Sequence, residues 1–185
     1  HVDSVFGGNA MNIRRAAEAD VPGISAIYEA IHDREDAGLI TTGWQRGVYP
    51  TAETALDAIK KGTMYVMEDD SGNILASAKM DHNQGEEYAR AQWRHDTPPE
   101  RVLVMHTLVV APEHEGHGLG RNFIYFYADR ARSLGCESLR MDTNVRNLAA
   151  RRLYGKLGFE EVGEVACCFN GIPGVKLVCL EKYLG

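Results

Sequence analysis

Apolar positions along the chain alternate between a helical and an extended period. Ile24, Ile27, Tyr28 and Ile31 recur at steps of three and four, which lines one face of a helix. Asp20 precedes them as an expected cap, with Pro22 in the first turn. Ala55, Leu56 and Ile59 repeat the pattern between Thr51 and Gly62, predicting a second helix. Residues 37–50 between the two lack a period and carry Trp44 and Tyr49. Extended stretches are predicted at 12–16, 63–69 and 74–81, the last two flanking Asp-Ser-Gly-Asn, a hairpin turn signal. Residues 82–100 are polar and irregular, with Trp93 and the Pro98–Pro99 pair.

The run Arg-Val-Leu-Val-Met-His-Thr-Leu-Val-Val (101–110) is apolar on both faces, as expected of a central, covered strand. Period-two alternation puts Val104, His106, Leu108 and Val110 on one face, with Met105, Thr107 and Val109 on the other. A glycine-rich loop follows, then a helix to about Leu134, a strand at 138–143, a helix at 148–157 stopped by Gly158, and strands near 159–167 and 175–183. The order β-α-α-β-β-β-α-β-α-β-β predicts an α/β (α+β) fold. Its sheet should be mixed, mostly antiparallel, with about six to seven strands and helices on both faces.

Composition narrows the picture. The 185 residues suit one domain, expected over 11–185; residues 1–10 resemble a cloning leftover ahead of a natural start at Met11. A net charge of -6 argues against a nucleic-acid partner, although Arg140, Arg146, Arg151 and Arg152 cluster in sequence. No apolar run approaches the roughly 20 residues of a membrane span. Cys136, Cys167, Cys168 and Cys179 form no Cys-x-x-Cys pair, so four reduced, mostly buried thiols in a cytoplasmic protein are expected.

The stretch Ala111–Phe123 holds three glycines between the covered strand and a helix. A Walker loop would need a Lys that is missing, and a Rossmann fingerprint would need glycine where Arg121 stands. What remains is a strand-loop-helix with Gly116, Gly118 and Gly120, whose backbone amides at a helix N-terminus suit an anion. His114, His117, Glu113 and Glu115 also suggest a metal. They lie in a loop with no regular element to fix them, beside donors aimed at anions, so no metal is expected.

Taken with Asn147, Ala150, Tyr154, Gly158 and Phe159, the loop resembles the GNAT superfamily of acetyl-CoA-dependent N-acetyltransferases. That family's loop motif, Arg or Gln followed at set spacing by two glycines, falls on Glu115, Gly116, His117, Gly118, Leu119 and Gly120. Glu115 departs from it, standing where the family has Arg or Gln. The resemblance implies acetyl-CoA in a cleft between the fourth and fifth strands. Its pantetheine arm would pair with the backbone of Leu108, Val109 and Val110, its pyrophosphate would lie on the amides of 116–121, Arg121 included, and Asn147 would bond to the arm.

Acetyl transfer to an amine needs a base for the amine, donors for the carbonyl oxygen and a proton for the departing thiolate. The resemblance gives the last role to Tyr154 and an amide near Leu108 to the oxygen. His106 is the candidate base, or else a core histidine. Trp44 and Tyr49 are candidate acceptor-site residues, and Trp93 a weaker one; Asp81 and His82 are expected in a turn, and Asp142 at a strand end. The acceptor would be a small-molecule or protein amine, and the chain a monomer or homodimer. The alternatives are a catalytically silent acyl-CoA-binding module and a different acyl donor, such as succinyl-CoA.

Overall fold

A computed structural model describes residues 12–185; the expected leader and Met11 lie outside them. Its elements are β1 (Asn12–Arg15), α1 (Val21–Asp36), α2 (Ala52–Lys60), β2 (Met64–Glu68), β3 (Ile74–Asp81), β4 (Val102–Val110), α3 (Leu119–Ser133), β5 (Ser138–Asn144), α4 (Leu148–Lys156), β6 (Glu160–Phe169) and β7 (Ile172–Tyr183). The seven strands form one sheet in the order β1-β2-β3-β4-β5-β7-β6. Only β4 and β5 pair in parallel, so the sheet is mixed and mostly antiparallel, as the element order requires.

The helices cover both faces. On one, Ile24, Ile27, Tyr28 and Ile31 of α1 and Ala55 of α2 pack on Val66 and Val109. On the other, Phe123, Ile124 and Tyr127 of α3 and Tyr154 of α4 pack on Met67, Met105 and Met141. A third cluster joins Val102 and Val104 to Val162, Val165 and Leu177, closed by Tyr49 and Tyr88. Each large apolar side chain buried this way contributes about 1.5–3 kcal/mol. No helix among the described residues is long and apolar enough to cross a membrane.

Two features of β4 create the site. The strand pairs with β5 only through Val102, Val104 and the residue between them; beyond Val104↔Arg140 the two strands part. Secondly, β4 carries a bulge. Lys79 faces His106 and Ser77 faces Val109, so Thr107 and Leu108 together oppose Ala78. Thr107 takes φ 56, a rare conformation for a β-branched residue. The bulge corrects the strict alternation expected from the sequence. Leu108 and Val110 turn to the α3 face with Met105, while Val109 joins the α1 face.

Two further expectations change. Asp20 does not cap α1 with its side chain; its carboxylate accepts from the Ala17 amide (2.7 Å) and from Arg14 (2.8 Å), closing a turn before the helix. The last hairpin is tighter than the sequence reading. Strands β6 and β7 run on to Phe169 and Ile172, which pair across a two-residue turn of Asn170 (φ 47) and Gly171 (φ 87). Positive φ at both positions matches the right-handed strand twist, the reason Asn-Gly favours such turns.

Candidate active site

Where β4 and β5 part, a cavity of about 910 Å³ opens, and its wall includes Thr107, Leu108, Val109 and Val110 from β4 and Asn147, Ala150 and Tyr154 from α4. Met105 to Val110 have no β5 partner, so one edge of β4 offers free backbone groups toward this gap. An extended ligand arm with amide groups is the natural complement to such an edge. Asn147 caps α4, its side-chain oxygen accepting from the Ala150 amide at 3.3 Å. That leaves its amide NH2 as a donor on the cavity wall.

The glycine loop ends at the N-terminus of α3. Gly118, with φ 75, is the residue that starts the helix, and Gly116 has φ 81. Leu119, Gly120 and Arg121 follow in the first turn, where backbone N–H groups have no intrahelical acceptor. Gly120 has ordinary helical backbone, and its reason is packing: a Cβ there would meet Leu153 of α4 at 3.4 Å. The Arg121 guanidinium folds back over Gly118, where a Cβ would meet its Nη2 at 2.9 Å. Glu115, exposed at the cavity mouth, pairs with Arg34 of α1 at 3.3 Å. Two guanidinium groups therefore accompany this loop, although the sequence offered no obvious cation. His117 is exposed, and Gly116 to Arg121 lie outside the wall of the cavity itself.

His106 lines the cavity beside the bulge, and its Nε2 lies 2.7 Å from Asp81 Oδ1. Asp81 is thus a partner of the histidine rather than the turn residue expected. Its register explains this: Asp81 faces Val104, which places it diagonal to His106 on one side of the sheet. Burial pushes the Asp81 carboxyl up, but the His106 hydrogen bond and charge, the Asn83 amide and Lys79 together hold it below the usual range.

Tyr154 is buried on the same wall. Burial, with the Asp142 carboxylate adding, pushes its phenol well above the ordinary value. Asp142 is more than a strand-end residue. It lines the cavity and accepts a hydrogen bond from the Tyr88 hydroxyl at 2.6 Å. Burial, reinforced by Glu87, raises its carboxyl; the Tyr88 bond and the His106 charge oppose this without reversing it. Neither Tyr88 nor Asp142 was a sequence candidate for the site.

Trp44 and Tyr49 both line the cavity, their rings edge to face at 6.1 Å. Tyr49 also meets Phe169 edge to face at 5.4 Å and hydrogen-bonds the Thr107 hydroxyl. Burial pushes its phenol up to about 12, against the Thr107 bond. Trp93 lies outside the cavity wall: its Nε1 donates to the Tyr88 carbonyl at 2.8 Å, and Arg140 stacks over its ring at 4.4 Å. That arrangement steadies the segment carrying Tyr88. Of the four arginines clustered in sequence, Arg140 is buried against Glu181 (3.2 Å) and Arg151 pairs with Glu161 (2.7 Å). All four cysteines are free thiols, but only Cys136 and Cys179 are buried; Cys168 is exposed on the cavity wall.

Comparison with known proteins gives consistent results. The sequence profile described as the acetyltransferase (GNAT) family matches residues 26–159. The L-methionine sulfoximine/L-methionine sulfone acetyltransferase of Pseudomonas aeruginosa is 29% identical over 167 residues, covering 83% of each chain. A shorter match, 40% identical over 57 residues, takes in 31% of this chain and 23% of the uncharacterized N-acetyltransferase YobR of Bacillus subtilis. Among solved structures, yncA from Salmonella typhimurium with its cofactor acetyl-CoA superposes with a TM-score of 0.64 at 23% identity, covering 95% of each chain.

Proposed function

The chain belongs to the acetyltransferase (GNAT) family, and from that premise we propose that it carries the acetyl group of acetyl-CoA to a primary amine by direct attack. One observation carries this reading. The cavity at the β4–β5 gap brings together the His106–Asp81 pair, the Tyr154 phenol and an unpaired β4 edge.

The residues present fit acetyl-CoA. The free edge of Leu108 to Val110 and the Asn147 amide suit a pantetheine arm. The α3 N-terminus suits a pyrophosphate, with Gly118 holding the amides forward and Arg121 adding charge. Glu115, which stands where the family has Arg or Gln, has its charge offset by Arg34. Yet that pair is exposed and worth little by itself. When bound, acetyl-CoA supplies an acetyl group activated as a thioester.

His106 is the base in this reading. The Asp81 carboxylate holds the proton on Nε2, which leaves the Nδ1 lone pair to take a proton from the amine, directly or through a water. The bulge at Thr107 and Leu108 turns backbone out of the β3 ladder, which supports an N–H there as donor to the carbonyl oxygen. Tyr154 gives its proton to the departing sulfur; its raised pKa keeps the phenol protonated throughout the neutral range. The amine nitrogen gains the acetyl carbon as the C–S bond breaks, so the proton lost at nitrogen balances the proton gained at sulfur.

The test is Tyr154→Phe. The kcat should fall about 100-fold, the scale of losing one positioned acid. Acetyl-CoA affinity should stay within about twofold, since the lost hydroxyl acts on the leaving group rather than on ground-state binding. An unchanged kcat would remove Tyr154 from the acid role.

A further inference from the structure

The cavity as a whole has an uneven charge. Its wall carries the carboxylates of Asp57, Glu86, Glu87, Glu115 and Asp142, against Lys79 as the one lysine or arginine among the described residues. Three cations are already engaged. Arg34 meets Glu115 at 3.3 Å, Lys61 meets Asp57 at 3.0 Å, and Lys79 lies 3.9 Å from Asp81. Glu86, Glu87 and Asp142 have no cationic partner among the described residues.

Asp142 is the one to explain. It lines the cavity half-buried, the hydrogen bond it accepts among the described residues comes from the Tyr88 hydroxyl, and Glu87, next to Tyr88 in the chain, stands on the same wall. A partly desolvated carboxylate with a second carboxylate on the same wall is costly unless a cation meets it. The rings of Trp44, Tyr49 and Phe169 form an aromatic corner on the same wall, and such π-faces also favour cations. By contrast, Lys79, 3.9 Å from Asp81, is the one ammonium or guanidinium on the wall among the described residues to meet an acceptor's carboxylate.

Resting on the acetyl-transfer reading, we infer that the acceptor is a small amine with at least two cationic centres. One ammonium is held by Asp142 and Glu87, while the second amine reaches His106. The Trp44–Tyr49–Phe169 corner covers the carbon chain between them. An acceptor with a free α-carboxylate is disfavoured, because its charge would meet five carboxylates on the wall against one lysine.

Three probes separate the possibilities: 1,4-diaminobutane, n-pentylamine of the same size, and ornithine, which adds a carboxylate to the diamine. The kcat/KM for the diamine should exceed that for pentylamine by about tenfold or more, the scale of one charge-assisted hydrogen bond. Ornithine should fall below the diamine. Glu87→Gln, a change on a short 3-10 turn (Glu86–Arg90) that thermal unfolding would check, should lower the diamine value at least about fivefold more than the pentylamine value. Equal rates for the two amines, a preference for ornithine, or an equal loss on both amines in Glu87→Gln would overturn the inference. The last result would instead mean that Asp142 and Glu87 serve the reacting nitrogen alone. Calorimetry of the same three compounds with CoA-loaded protein reads the preference without turnover, and diamine binding no tighter than pentylamine binding overturns it as well. Tight diamine binding with no acetylation of any amine would count against the acetyl-transfer reading and leave the cation site standing.

Discussion

His106 shows how one neighbour decides what a residue is. A histidine on a covered strand is a core residue or a base, and the sequence left both open. Its carboxylate partner, Asp81 at 2.7 Å, and its exposure to the cavity favour the base. Asp81→Asn keeps the shape but exchanges a charged acceptor for an amide that can also present NH2 to the ring. The kcat should fall about tenfold or more, with acetyl-CoA affinity unchanged. Stability provides a second readout. The folded pKa of Asp81 lies below its unfolded value, so its contribution is present above the ordinary carboxylate range and lost as pH falls through the folded value. The stability gap between wild type and Asp81→Asn should therefore be largest near neutrality and close below about pH 4. A gap that stayed constant across that range, with kcat intact, would return His106 to the core.

At the scale of elements, the sequence was most legible where a period repeats and least where one residue interrupts it. Helices α1 and α2 follow directly from apolar spacing, and β2 and β3 from their turn signal. The bulge in β4 gives no such signal, because Thr107 is an ordinary strand residue by type. Everything beyond it changes face, which is why Val109 and Leu108 exchanged sides. The Asn170–Gly171 turn does carry a local signal, since Asn-Gly is the strongest short hairpin signal. This turn positions Phe169 in the aromatic corner. Gly171→Ala tests that link. A Cβ at Gly171 would meet Val48 at an unremarkable 3.6 Å, so the cost lies in the backbone conformation at φ 87. That is about 1–2 kcal/mol, or roughly 2–8 °C in Tm for a chain of this size. The acceptor KM should rise while the acetyl-CoA KM holds, because Leu108, Val110 and Asn147 belong to β4 and α4 rather than to this hairpin. A rise in both would mean the hairpin supports the whole sheet rather than the acceptor corner.

For the whole molecule, the parting of β4 from β5 matters most. The sheet is continuous, yet its halves, β1 to β4 and β5 to β7, join through a parallel register of three residues. Helix α3 packs on both sides of the join through Phe123 and Tyr127, whose hydroxyl donates to the Leu103 carbonyl at 2.5 Å and the Arg140 carbonyl at 3.0 Å. The sequence revealed the glycine and asparagine motifs that flank this gap, but not the Tyr88–Asp142 pair on the cavity wall. That pair joins an irregular segment to a strand 54 residues away, and no local pattern encodes such a contact. A ligand that lies along the free edge of β4 should then act as a missing strand between the halves. At 100 times its dissociation constant, CoA adds about 2.7 kcal/mol to the folded state if it binds that state alone. The expected rise in Tm is about 5–10 °C. The rise alone would not locate the ligand. Hydrogen exchange would: Ala111 donates to Leu75 of β3, so alternation puts the amides of Leu108 and Val110 on the gap side, and these should slow with CoA bound, as should those of Leu119 to Arg121 at the start of α3. Slowing at α3 alone would mean that only the phosphate end is held. A rise in Tm with no slowing at either place would put CoA outside the β4–β5 gap, and the catalytic reading of His106 and Tyr154 would lose its frame.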